Sequence, residues 1–79
     1  MTIHVTDSQR ERCLTAVNKL LEMTRLNKCQ LANAIDVSPN VVTYWFQRKR
    51  MPTYNQAIDM EILSLCSIDR REFAPHVYD

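Results

Sequence analysis

The sequence predicts an all-α fold: a compact bundle of about five short helices forming one domain over residues 1–79. Three observations point there. Apolar residues return at intervals of three and four through most of the chain, strand-like alternation is rare, and several segments open on a residue suited to capping a helix. Glycine is absent. With 79 residues, 46% of them apolar, the chain has material for one core and too little to divide between two.

The first helix is expected over residues 7–24. Thr6 and Gln9 have the spacing of a capping box, and Leu14, Val17 and Leu21 form an apolar stripe at i, i+3 and i+7. A second start falls at Asn27, with Gln30 as its box partner and Leu31, Ala32 and Ile35 as the apolar face before Asp36. Ser38 followed by Pro39 marks a third, because serine caps free amides and proline has no amide hydrogen to leave unpaired in the first turn. That helix is expected to continue through Gln47 or Arg48. A basic loop, residues 48–52, follows, since Pro52 disfavours helical geometry at Met51.

Thr53 with Gln56 restarts a helix whose buried side is expected to be Ala57, Ile58, Ile62 and Leu65. Asp69 with Glu72 caps a last turn around Phe73, which Pro75 ends. Residues 1–5 and 76–79 are expected to be mobile, with Thr2-Ile3-His4-Val5 able to form a short extended arm.

Composition narrows the function classes. No apolar run approaches the roughly 20 residues of a membrane span, and the first ten residues lack the pattern of a secretion signal, so a cytoplasmic protein is expected. Cys13, Cys29 and Cys66 cannot all pair within one chain and form no CxxC, so they are read as reduced, small packing residues. No glycine-rich phosphate loop, nucleophile elbow or paired metal-ligand motif is visible, and His4 and His76 lie near opposite ends. No catalytic role, metal, cofactor or small-molecule ligand is assigned.

The net charge of +1 conceals a division along the chain. From Thr24 to Gln56, Arg25, Lys28, Arg48, Lys49 and Arg50 stand against Asp36 alone, leaving +4, while the remainder carries −3. A basic middle suits an acidic partner.

The informative segment is KCQLANAIDVSPNVVTYWFQ, residues 28–47, where two short helices are joined by only a few residues and must cross steeply. Ala32 supplies the small residue such a crossing needs. Leu31, Ile35, Val37, Val42 and Trp45 supply the apolar set inside the corner. This segment resembles the helix-turn-helix of Cro and CI-type phage repressors, a lambda-repressor-like DNA-binding domain, with Asp36 where that family usually has glycine. Asp tolerates a left-handed backbone better than most residues. YWFQRKRMPTYNQAIDMEI is similar to the recognition helix, basic loop and next helix of the YdaS-like/Cro subgroup, and SIDRREFAPHVYD resembles its terminal turn.

The residues themselves indicate how such a motif would act. Asn40, Thr43, Tyr44 and Gln47 share one polar, uncharged helix face roughly opposite Val42 and Trp45. In a major groove Asn and Gln pair with adenine, Thr meets a thymine methyl, and Tyr offers a ring and a hydroxyl. Lys28, Ser38, Arg48, Lys49 and Arg50 are the expected phosphate contacts, Ser38 having an equal claim as a helix cap. Trp45 is read as core. Phe46 packs on the fourth helix or joins a subunit interface, and Met51, Tyr54 and Met60 are read as packing residues.

One helix reads too few base pairs to stand out against a genome, so a homodimer on a palindromic double-stranded operator is expected, and the resemblance implies the same assembly. Residues 53–79, with Leu65, Phe73 and Tyr78, are the expected dimerisation segment. Two non-enzymatic alternatives remain: an antitoxin-like regulator of a toxin–antitoxin pair, and a protein-interaction module that has kept the motif without DNA affinity.

Overall fold

Local hydrogen bonding sets where the first five helices begin. In the computed structural model, which describes residues 5–78, the helices are α1 (Asp7–Thr24), α2 (Lys28–Ala34), α3 (Pro39–Phe46), α4 (Tyr54–Leu63), α5 (Arg70–Phe73) and α6 (Pro75–Tyr78). There is no strand among the described residues. The arm considered for residues 2–5 lies almost wholly outside them, as does His4.

Three capping boxes close as the spacing predicts. The Gln9 amide donates to Thr6 Oγ1 at 3.1 Å and the Thr6 amide to Gln9 Oε1 at 3.0 Å; Asn27 with Gln30 and Thr53 with Gln56 repeat the exchange. Asp69 caps α5 by accepting from the Arg71 amide at 2.8 Å, but Glu72 does not complete a box. It pairs with Arg12 instead.

One core serves the described residues. α1 contributes Cys13, Ala16, Val17 and Leu20, a face rotated from the expected stripe, with Leu14 and Leu21 half-buried at its edges. The rotation has a steric reason: Cys13 and Ala16 are small, and α5 and α6 pack against α1. Burial pushes the Cys13 thiol up to about 12, the nearby Arg10 opposing it. Cys29 and Cys66 are exposed, so the packing role expected of all three cysteines holds for Cys13 alone.

The buried side of α4 also differs. Ala57 and Met60 enter the core and Ile58 is half-buried, whereas Ile62 is 61% exposed and Leu65 87% exposed. Helix α4 stops at Leu63, and Ser64 turns inward: its hydroxyl donates to the Glu61 carbonyl at 2.7 Å and accepts from the Ile68 amide at 3.1 Å. Leu65 and Cys66 take left-handed φ of 56° and 61°, swinging Leu65 outward and delivering Ile68 to the core.

The C-terminal end is ordered by burial. Phe73, Ala74 and Pro75 are fully inside, and burying a ring such as Phe73 contributes about 1.5–3 kcal/mol. Phe73 is therefore core and unavailable to a subunit interface. Pro75 ends α5 but also opens α6, so residues 76–78 form a helix where a mobile tail was expected. The Tyr78 ring packs 5.8 Å from that of Tyr54, tilted by 32°. No helix among the described residues is long and apolar enough to cross a membrane.

Candidate nucleic-acid interface

The corner between α2 and α3 is built by backbone bonds around Asp36. Its φ is 59°, its amide donates to the Asn33 carbonyl at 3.2 Å, and the Val37 amide reaches back to the Ala32 carbonyl at 2.9 Å. This is a Schellman closure with aspartate where glycine is usual. Inside the corner Leu31, Ala32, Ile35, Val42 and Trp45 are buried, and Val37 packs half-buried against them. The six sequence-derived corner residues thus meet in one cluster.

Burial of Val42 and Trp45 dictates what α3 shows to solvent. Asn40, Thr43 and Gln47 are exposed; Tyr44 is half-buried. At the start of the helix, Ser38 accepts from the Asn40 amide at 3.3 Å, so its hydroxyl caps the helix while the residue remains exposed. The Thr43 hydroxyl donates to the Pro39 carbonyl at 3.2 Å, which leaves its methyl free to make apolar contact. Helix α3 ends at Phe46, short of the expected Gln47 or Arg48, with Gln47 as its cap.

A second Schellman closure follows. Arg48 adopts φ 62°, its amide donates to the Trp45 carbonyl at 3.2 Å, and the Lys49 amide bonds the Tyr44 carbonyl at 3.0 Å. The turn folds the basic loop back over α3. The Lys49 ammonium sits 5.9 Å and the Arg50 guanidinium 5.3 Å from the centre of the Tyr44 ring, and the three side chains line a shallow open pocket. The ring's negative face attracts both cations. On the other side Lys28, at the first position of α2, stands 4.0 Å over the Phe46 ring. Phe46 is thus half-buried against the core and carries a cation, a role that its identity alone does not signal.

Arg48 is placed differently from its two neighbours. Its guanidinium pairs with the Glu11 carboxylate of α1, and its carbonyl accepts from the Arg10 guanidinium at 2.8 Å. Among the described residues no carboxylate lies within 4.0 Å of the Lys28, Lys49 or Arg50 cation. Arg10 and Glu11 escape sequence reasoning because nothing local links them to a residue 37 or 38 positions away.

Chemistry elsewhere on the surface is of another kind. An open groove of about 460 Å³ between α1 and residues 67–72 is lined by Glu11, Arg12, Lys19, Asp69 and Glu72 among others, and by none of the sequence-derived site residues. Its mixed charges give no bias toward an anionic chain. His76 is half-buried, and burial, helped by Arg10, holds its imidazole below the usual range. No group of three or more His, Cys, Asp or Glu among the described residues is arranged to hold a metal ion. Comparison with protein-family models, with characterised proteins and with solved structures gives no match for this chain.

Proposed function

We propose that this protein is a sequence-specific double-stranded DNA-binding repressor of the Cro/CI type, working in the cytoplasm as a homodimer. The observation that carries the reading is α3. Its core side is sealed by Val42 and Trp45, and its outward side offers Asn40, Thr43, Tyr44 and Gln47 without a formal charge among them. An uncharged polar helix face between cations matches what base edges and flanking phosphates require of a major-groove reader. Lys28, Lys49 and Arg50 supply those cations, and Ser38 stands exposed at the helix start.

Each element has a defined task in this reading. Asn40 and Gln47 present amides for bidentate pairing, Thr43 a methyl, and Tyr44 a ring edge beneath Lys49 and Arg50. The cations hold the backbone and fix the register of α3 in the groove. In a two-fold dimer the two α3 helices enter successive grooves about 34 Å apart. Ile62 and Leu65 are the large apolar side chains most exposed at the end of α4, and we assign them to the partner contact, with Phe73 removed from it.

Selection of bound duplexes from a random pool, followed by a size measurement of the complex, tests the proposal. A palindromic consensus held by two copies of the chain supports it. No enrichment, together with binding insensitive to salt, overturns it in favour of a protein-interaction module.

A further inference from the structure

The pairing of Arg48 reaches beyond the assignment of basic residues to phosphates. Arg48 is held at both ends by two consecutive residues of α1, its carbonyl by Arg10 and its guanidinium by Glu11. Lys49 and Arg50, next in the chain, lean on an aromatic ring and keep their full charge toward solvent. Three adjacent cations therefore differ in what they offer a polyanion.

Resting on the DNA-binding reading above, we infer that Glu11 is a built-in competitor for phosphate at Arg48. A carboxylate and a phosphate present the same kind of oxygen to a guanidinium, so a duplex backbone can take Arg48 only by displacing Glu11. The exchange is feasible because the pair is open to water, with 48% of the Arg48 side chain and 58% of the Glu11 side chain exposed. The Arg10 bond and the left-handed backbone keep Arg48 in place while its side chain changes partner. Once released, Glu11 is an unpaired anion beside the duplex and recruits a cation from solution. That uptake cancels one of the counterion releases that drive binding. Glu11 is thus a positioning residue that lowers sequence-independent affinity without touching a base.

The test is duplex binding by the full chain to a random-sequence fragment, measured by fluorescence anisotropy over a range of salt. Glu11→Gln is expected to bind about two- to five-fold more tightly at low salt, the range of an exposed ion pair. Its log–log salt slope is expected to steepen by up to about 0.9, one counterion's worth. Both changes should vanish in the Arg48→Ala background, and a melting curve for each variant checks that the fold is intact. If the parent binds and Glu11→Gln binds identically, or gains equally without Arg48, the competitor role is wrong while the DNA reading stands. If the parent binds no duplex even at low salt, the functional reading falls and this inference with it.

Discussion

Arg50 and Arg70 carry the same group into opposite settings. At the corner between α4 and α5, Glu61 accepts from Arg70 Nη2 at 2.9 Å, from Nε at 3.2 Å and from its backbone amide at 2.8 Å. These bonds hold the Glu61 carboxyl below its ordinary range and push the Arg70 guanidinium further up. Arg70 is thus committed to the fold. Arg50, in the basic loop that follows α3, lies over Tyr44 with no carboxylate in reach among the described residues. A cation's partner decides its availability, and a net charge of +1 conceals which region is which.

The largest expected effects test whether both regions stand on one core. Trp45→Ala, beneath α3, and Phe73→Ala, beneath α5, should each cost about 3–5 kcal/mol and lower a single thermal transition. Two separable transitions would show that the two regions do not share a core. Next in size, Gln47→Ala should remove about 1–3 kcal/mol of discrimination between a selected duplex and a random one. Equal loss on both would take Gln47 out of the base-reading set.

Smaller effects separate the two arginines directly. Arg50→Ala should weaken binding to every duplex and flatten the salt slope by about 0.9, whereas Arg70→Ala should lower the melting temperature and leave the slope alone. Matching slopes would erase the distinction. The smallest effect is a pH dependence of stability. His76 has a depressed folded-state pKa, so the unfolded chain binds more protons, and stability should decline as pH falls below about 6.5. Glu61 is depressed too, and its contribution is lost only in more acidic solution, below about 4.5. Melting curves should show His76→Gln removing the upper step and Glu61→Gln the lower one.

How much was legible in the sequence follows the range of the forces involved. Thr6, Asn27, Ser38, Thr53 and Asp69 all cap helices as their spacing predicts, because a cap is satisfied within three residues. The α2–α3 corner was legible for the same reason, its apolar set lying within fifteen residues of chain. Readings failed where the outcome depended on distant partners. Nothing near Leu65 announces that Ser64 will turn inward to meet Ile68, and nothing near Phe73 announces that α5 will pack against α1. Within the candidate interface, the types and spacing of residues 40–50 were visible, but the ring-bound state of Lys28, Lys49 and Arg50 and the capture of Arg48 were not.

The unequal burial of the three thiols gives the protein an internal clock. Cys29 and Cys66 are open to an alkylating reagent, while Cys13 is 1% exposed and forms almost no thiolate near neutral pH. Two labels should therefore attach promptly, and the third only when α1 parts from the C-terminal helices. Mass spectrometry of that last addition times the opening of the interior from the native thiols alone, with no engineered cysteine.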